Sequence, residues 1–168
     1  MLKLLGAIMI IGACSLMGIS VNRKLYDRVR VLQEWLIILQ EIKAEIVFRA
    51  APIPVIFQKL ADKPYNFTSP YFHSICDNLQ LFGVQSAAEL SAYELRKLPL
   101  TESDLLALQN AFTSIGRYDA QTQGEALART ISVLEQQLSD AKSQQNQKGK
   151  LYQAIGVSCG IALALIAI

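Results

Sequence analysis

Two carboxylates one helical turn apart are the best candidates for chemistry in this sequence. Glu41 and Glu45 lie within residues 22–51, which contain no Gly or Pro, and a helix there places both carboxylates on one face. Two such groups can share a proton or a metal ion. Arg49 follows four positions after Glu45 and can instead form an ion pair with it, worth about 0.3–0.5 kcal/mol on an exposed helix. We favour the ion pair and keep a membrane-bound enzyme that uses the paired carboxylates as an alternative.

A third use of these residues is to bind a partner protein. The negative charges of Glu41 and Glu45 lie beside Arg49 and shortly before Pro52 and Pro54. The two prolines end the helix, because proline lacks a backbone donor and forces its predecessor out of the helical conformation. Charges and proline turn together define a surface feature, which we predict to be a docking site.

The remaining reactive side chains form no recognisable catalytic or metal-binding set. His73 is the only histidine, and the cysteines at positions 14, 76 and 159 contain no Cys-x-x-Cys pair. The sequence has no Gly-rich phosphate loop, and its net charge of +2 is spread over interspersed acidic and basic residues. We therefore predict a protein that is not an enzyme and that uses no cofactor, metal ion, small-molecule substrate or nucleic acid.

The two ends of the chain are uncharged and strongly apolar. Residues 4–21 and residues 151–168 contain no charged side chain, and each stretch is long enough to cross a bilayer core of about 30 Å at about 1.5 Å per residue. We predict a transmembrane helix in residues 1–21, a helical domain in residues 22–150, and a second transmembrane helix in residues 151–168. The lipid bilayer is therefore an expected partner.

Basic residues beside the apolar ends predict the orientation of the chain. Those that follow the first end are Arg23, Lys24, Arg28 and Arg30, and those that precede the second end are Lys142, Lys148 and Lys150. This bias predicts that the middle domain is cytoplasmic and that both termini lie outside. An alternative comes from residues 11–14, which resemble the lipobox of an exported lipoprotein with Cys14 as the modified residue.

Small residues in the second apolar end predict a helix-packing face in the membrane. Gly156, Gly160 and Ala164 recur every four positions, and such a stripe lets another helix approach closely. Cys14 and Cys159 lie in the two apolar ends, where they can either form a disulfide or pack as small residues. We favour packing.

Apolar residues in the middle domain recur at helical spacing and show no sustained alternation of the kind that strands require. The first helix carries two apolar lines, Leu25, Val29, Leu32, Leu36 and Leu39 beside Trp35, Ile38, Ile42 and Ile46. The last helix carries Leu127, Ile131, Leu134, Leu138 and Ala141. We predict an all-α fold, with a bundle of about six helices in which the first and last helices pair antiparallel.

Turn and capping residues divide the middle domain into shorter helices. Pro54 and Pro70 suit the first turn of a helix, because their fixed φ angle is helical, and Thr101 with Asp104 forms a capping-box sequence. The predicted short helices span residues 55–61, 69–82, 87–97 and 105–115. Gly116 is predicted to follow the last of these as a C-cap, and Asp119 to cap the long last helix.

Two sequence segments carry a resemblance to a known family. Residues 45–54 read EIVFRAAPIP and residues 115–123 read IGRYDAQTQ. Together with the apolar ends, they resemble the stage III sporulation protein AB family over the whole length. Arg49 stands where the family pattern has a small residue, and Tyr118 where it has a serine. The second difference removes a capping hydroxyl and leaves Asp119 to cap alone.

The resemblance implies a non-enzymatic membrane component of a secretion-like complex that links the mother cell and the forespore during sporulation. It implies a location in the mother-cell membrane around the forespore. The family is also distantly similar to the inner-membrane platform protein of type II secretion and type IV pilus systems, which contacts a cytoplasmic ATPase. The expected partners are therefore the ATPase stage III sporulation protein AA and other membrane subunits. The residues that we predict to bind a partner are Glu41, Glu45, Arg49, Pro52, Pro54, Asp119 and Gln123.

Overall fold

The computed structural model describes residues 2–82, 91–116 and 118–167, which form helices joined by turns. Side chains are described for residues 20, 22–77, 91–116, 118–147 and 158. The helices are α1 (Leu2–Arg49), α2 (Ile53–Ala61), α3 (Ser69–Phe82), α4 (Glu102–Ser114) and α5 (Ala120–Ala167), and residues 91–95 are also helical. These described residues contain no strand. The predicted all-α fold of about six helices is confirmed.

The chain divides into two compact units. One consists of Met1–Val29 with Ser139–Ile168, and the other of Arg30–Leu138. The first unit thus groups the two ends of the chain. This division falls at other positions than the predicted domain boundaries, which follow residues 21 and 150. The predicted boundaries stay a prediction.

Membrane spans are not identified among the helices. Within the described part of the chain, no helix has the length and apolar character needed to cross a bilayer. The side chains of residues 1–19, 21, 148–157 and 159–168, which make up nearly all of the predicted spans, lie outside the described ones. The predicted packing face of Gly156, Gly160 and Ala164 belongs to this part and stays a prediction.

An aromatic cluster forms the core of the unit Arg30–Leu138. The Trp35 side chain is fully buried, and its ring centroid lies 5.1 Å from that of Tyr71, 5.8 Å from Phe72 and 5.7 Å from Phe112. Phe57 adds contacts to Phe72 and Phe112 at 5.7 and 6.2 Å. The rings meet edge to face or tilted, the arrangement that the ring quadrupole favours. One residue each from α1, α2 and α4 and two from α3 therefore converge at a single point.

The predicted apolar lines of the first and last helices face inward within this unit. The buried members are Leu32, Trp35, Ile38, Leu39, Ile42 and Ile46 of α1 and Leu127, Ile131 and Leu134 of α5. Val47 of α1 lies against Gly124 of α5, and Gln40 lines the same groove as Glu135. Because a higher number in one helix meets a lower number in the other, α1 and α5 pair antiparallel, as predicted.

Most predicted helix boundaries agree with the structure. α3 spans the predicted residues, and Asp104 Oδ2 accepts a hydrogen bond of 2.8 Å from the Thr101 backbone amide in the predicted capping box. Gly116 follows α4 with a φ of +81°, which suits glycine because other residues rarely adopt it. α2 begins two residues earlier than predicted, and α4 begins three residues earlier and ends one residue earlier. Of the helix predicted at 87–97, residues 91–95 are helical and 87–90 lie outside the described residues.

A carboxylate of α1 binds the turn that leads into α3, and sequence analysis missed it. Glu34 Oε1 accepts a hydrogen bond of 3.1 Å from the Asn66 amide, and Glu34 Oε2 accepts bonds of 3.1 Å from the Phe67 amide and 3.2 Å from the Thr68 amide. The Thr68 hydroxyl donates a further bond of 3.1 Å to Oε2. Residues 66–68 form the turn that leads into α3, and a negative charge is favoured near the N-terminus of a helix. Glu34 therefore fixes α3 against α1.

Candidate docking surface at the helix elbow

A sharp turn after α1, which we call the elbow (residues 50–52), reverses the chain. Ala50 has a φ of +48°, which lets the Ala51 amide donate a hydrogen bond of 3.2 Å to the Glu45 carbonyl. Pro52 is extended, with φ −60° and ψ 137°, and its carbonyl accepts the first helical bonds of α2. With Pro54 in the first turn, α2 begins at once and its basic residues come beside the carboxylates of α1.

Five charged side chains beside the elbow form one ion-pair network, which we call the elbow network. Glu45 Oε1 lies 2.7 Å from Arg49 Nη1 and 2.5 Å from Lys59 Nζ. Lys63 Nζ lies 2.6 and 2.5 Å from the two oxygens of Glu41, and Lys59 Nζ lies 4.0 Å from Glu41 Oε1. The predicted pair of Glu45 with Arg49 is confirmed. Lys59 lies in α2 and Lys63 lies just beyond its end. Sequence spacing did not indicate that either lysine contacts these carboxylates.

The electrostatics of the elbow network follow from these contacts. The hydrogen bond from Lys59 holds the pKa of Glu45 below its ordinary value, against the opposing effect of burial, and Arg49 acts in the same direction as Lys59. The hydrogen bond to Glu41 raises the pKa of Lys63. The Glu45 carboxylate is therefore held in its charged form. Glu41 and Glu45 are each bound by a basic side chain, which is the arrangement of an ion-pair network and not of two acids sharing a proton.

The surface of the elbow network differs from the negative patch that the sequence suggested. The Glu45 and Glu41 side chains are only 9% and 19% exposed, whereas those of Arg49, Lys59 and Lys63 are 68%, 46% and 36% exposed. The carboxylates lie beneath the basic groups. Solvent therefore meets positive charge at this surface.

Asp119 and Gln123 fix the turn that leads into α5. Asp119 Oδ1 accepts a hydrogen bond of 3.0 Å from the Thr122 amide and its Oδ2 accepts one of 2.6 Å from the Thr122 hydroxyl. These bonds lower the pKa of Asp119 and confirm it as an N-cap. Gln123 Oε1 accepts a bond of 3.1 Å from the Gly116 amide, and its Nε2 donates to the Tyr118 carbonyl. Both side chains therefore act on the backbone, and their role in partner binding stays a prediction.

The two segments that carry the resemblance meet in space. A Cβ on Gly116 would lie 2.9 Å from Ile53 Cδ1, and a Cβ on Gly124 would lie 2.6 Å from Val47 Cγ2. Both distances are too short for a real side chain, so each glycine permits a close approach. The first segment thus contacts Gly116 of the second segment and Gly124, which directly follows it, and Pro52 and Pro54 are exposed beside this contact.

Phe48 is a surface residue that sequence analysis missed. It is 83% exposed and forms the ridge between two grooves. One groove, of about 380 Å³, is lined by Glu41, Ala44, Glu45, Phe48, Arg49 and Lys59. The other lies between α1 and α5. The sequence did contain a signal for it: Phe48 is a large apolar residue that belongs to neither buried line of α1 and directly precedes Arg49.

The contact of Gly124 with Val47 predicts a conditional effect of one methyl group. Gly124→Ala is expected to lower the free energy of unfolding by about 1–2 kcal/mol, because overpacking exceeds the gain in helix propensity. In the Val47→Ala background, the same change is expected to be neutral or to stabilise by up to about 1 kcal/mol. Urea denaturation of the full chain measures both values, and equal effects in the two backgrounds would contradict the contact.

Comparisons with known proteins agree on one family. A family model described as "Stage III sporulation protein AB" matches residues 3–168. The stage III sporulation protein AB of Bacillus subtilis (strain 168) is 27% identical over 170 residues, which cover 99% of each chain. A solved structure of stage III sporulation protein AB (SpoIIIAB) is 25% identical with a TM-score of 0.63, covering 72% of this chain and 98% of that one. The chain therefore belongs to the stage III sporulation protein AB family.

Proposed function

We propose that this chain is a non-enzymatic membrane component of a secretion-like complex between the mother cell and the forespore, in which it docks a cytoplasmic ATPase. The observation that carries the docking role is the convergence of residues 45–54 and 115–124 on one surface. Both segments are braced from within, by the elbow network and by Gln123. A surface that is held rigid before binding loses less conformational entropy on association, which suits a platform for a partner protein.

The membrane part of the proposal rests on the ends of the chain. Residues 4–21 and 151–168 are uncharged and are flanked on their inner sides by basic residues, which favours a cytoplasmic middle domain with both termini outside. The grouping of Met1–Val29 with Ser139–Ile168 in one compact unit supports a paired arrangement of the two ends. In this arrangement Gly156, Gly160 and Ala164 would face another membrane subunit.

Glu45 and Asp119 are poor probes of docking, although both were predicted to bind the partner. Glu45 is held by two basic side chains and Asp119 caps α5. Reversal of either charge would therefore disturb the fold as well as the surface. Exposed apolar residues beside the elbow provide a cleaner test.

Retention of the ATPase tests the proposal. The full chain in neutral detergent, immobilised on beads, is expected to retain the purified stage III sporulation protein AA of the same organism. Replacing Val55 with Ser is expected to weaken retention at least about tenfold, because Val55 is more than half exposed in α2 just after the elbow and apolar burial drives most protein association. The matched control replaces Val133 with Ser, which is similarly exposed on α5. No retention by the unaltered chain, or equal loss in both variants, would refute docking at the elbow.

A further inference from the structure

Positive charge and an exposed aromatic ring lie side by side on the elbow surface. Three basic side chains face two carboxylates in the elbow network, which leaves a net charge of +1. The basic groups are also the exposed ones. Phe48 adjoins them in the same groove as Arg49 and Lys59, and its side chain is almost entirely in contact with solvent.

The basic groups keep capacity for further hydrogen bonds. Within the described part of the chain, Arg49 uses only Nη1, in its bond to Glu45, so Nε and Nη2 remain available to a ligand. A guanidinium group presents its donors in a planar fork that matches a carboxylate. The Lys59 ammonium, which is bound to the same oxygen of Glu45, adds a second positive charge close by. Glu45 therefore holds Arg49 and Lys59 together in advance.

The neighbouring ring determines which anion the surface suits. A free inorganic anion would use only the charges and would leave Phe48 in water. A protein segment with carboxylates and an apolar side chain would use both, because the apolar side chain covers the ring and excludes water from the ion pairs. Large exposed aromatic side chains are characteristic of the centres of protein interfaces.

We propose that Phe48, Arg49 and Lys59 form a docking site for an acidic segment of the partner protein, with an apolar side chain of that segment against Phe48 and a carboxylate between Arg49 and Lys59. This inference rests on the proposed function, since it specifies the chemistry by which the ATPase is recognised. From the sequence we expected acidic residues of this chain to bind the partner. In the proposed site, basic residues of this chain bind acidic residues of the partner. Added salt is expected to weaken binding at this site, because the interacting charges are exposed to solvent.

Two substitutions with matched controls test the site. Phe48→Ser removes an exposed ring, and Arg49→Gln removes the most exposed charge while Lys59 still binds Glu45. The controls are Leu106→Ser and Arg129→Gln, which alter an exposed apolar residue on α4 and an exposed arginine on α5. Each variant of the full chain in neutral detergent is titrated with a short fluorescein-labelled peptide of glutamate and leucine. A peptide with lysine in place of glutamate serves as the charge control.

We expect the glutamate peptide to bind at least about tenfold more tightly than the lysine peptide, and each test substitution to weaken it by about tenfold. The control substitutions are expected to leave its affinity unchanged, and added salt to reduce the difference between the peptides. Equal binding of the two peptides, or equal effects of test and control substitutions, would overturn the proposal.

The ATPase itself provides the second measurement. The same test substitutions are expected to weaken ATPase retention, with the controls unaffected. An ATPase that binds as tightly to the Phe48→Ser and Arg49→Gln variants overturns this site while leaving docking intact, whereas absence of any ATPase binding refutes the proposed function. Self-association that is lost on Phe48→Ser, or Arg49-dependent binding to phosphatidylglycerol vesicles in place of the ATPase, would assign the surface to another occupant and also overturn the proposal.

Discussion

Replacing Trp35 with Ala is expected to lower the free energy of unfolding by about 3–5 kcal/mol, the range for removal of a large buried aromatic side chain. Trp35 is fully buried and its ring contacts Tyr71, Phe72 and Phe112. Removal leaves a cavity where α1, α3 and α4 meet, and it also ends three ring contacts. Because a typical domain has a free energy of unfolding of about 5–15 kcal/mol, this one change removes a large part of the stability. Urea denaturation followed by far-UV circular dichroism measures it.

A conservative variant separates the ring from its polar group. The Trp35 Nε1 donor is buried and has no hydrogen-bond partner among the described residues. Trp35→Phe therefore removes no hydrogen bond and relieves an unsatisfied donor, although it leaves a smaller cavity. We expect a loss of only about 1–2 kcal/mol. If Phe were as harmful as Ala, the nitrogen would have an important partner and our account of the cluster would be wrong.

Replacing Glu34 with Ala is expected to lower the free energy of unfolding by about 2–3 kcal/mol, more than an ordinary cap removal of about 1 kcal/mol. The reason is that one carboxylate accepts bonds from the amides of residues 66–68 and from the Thr68 hydroxyl. Thr68 is fully buried, so its hydroxyl would be left without this partner in a place where water has little access. Glu34→Gln keeps one acceptor oxygen and is expected to lose about half as much.

Hydrogen exchange locates the effect of Glu34. Amide protection at residues 66–68 is expected to fall in Glu34→Ala, while protection in α4 stays close to that of the unaltered chain at low denaturant. Glu102→Ala, an exposed acid in the first turn of α4, is the matched control and should change stability by less than about 1 kcal/mol. A similar loss in both variants would show that helix-end charge, and not the bridge to α3, explains the effect.

Local signals predicted most of the helices. The bounds of α3 follow from Ser69 and Pro70 at its start, and the caps at Thr101 and Asp119 depend on residues within a few positions of the helix they begin. The buried lines of α1 and α5 follow from periodicity alone, because an apolar face must be covered. Such features require no knowledge of what lies opposite.

Contacts between distant segments account for what was missed. Lys59 and Lys63 bind Glu45 and Glu41 across 14 and 22 positions, and Glu34 reaches residues 32–34 positions away. The partners in each case lie in different helices or in the turn between them, so no spacing rule for a single helix indicates these contacts. The sign of the surface charge was misjudged for the same reason, since the sequence shows that Glu41 and Glu45 share a face but not that α2 lies over them.

The pairing of α1 with α5 has a consequence for synthesis of the chain. Gly124 packs against Val47, 77 positions earlier, and ribosomes add about 5–20 residues per second. The apolar lines of α1 near the elbow therefore leave the ribosome about 4–15 s before the helix that covers them. During that interval α2, α3 and α4 can gather around Trp35, but the side of α1 that faces α5 stays open. A nascent chain of this protein thus presents an uncovered helix to chaperones, or to neighbouring chains, until its last third has been translated.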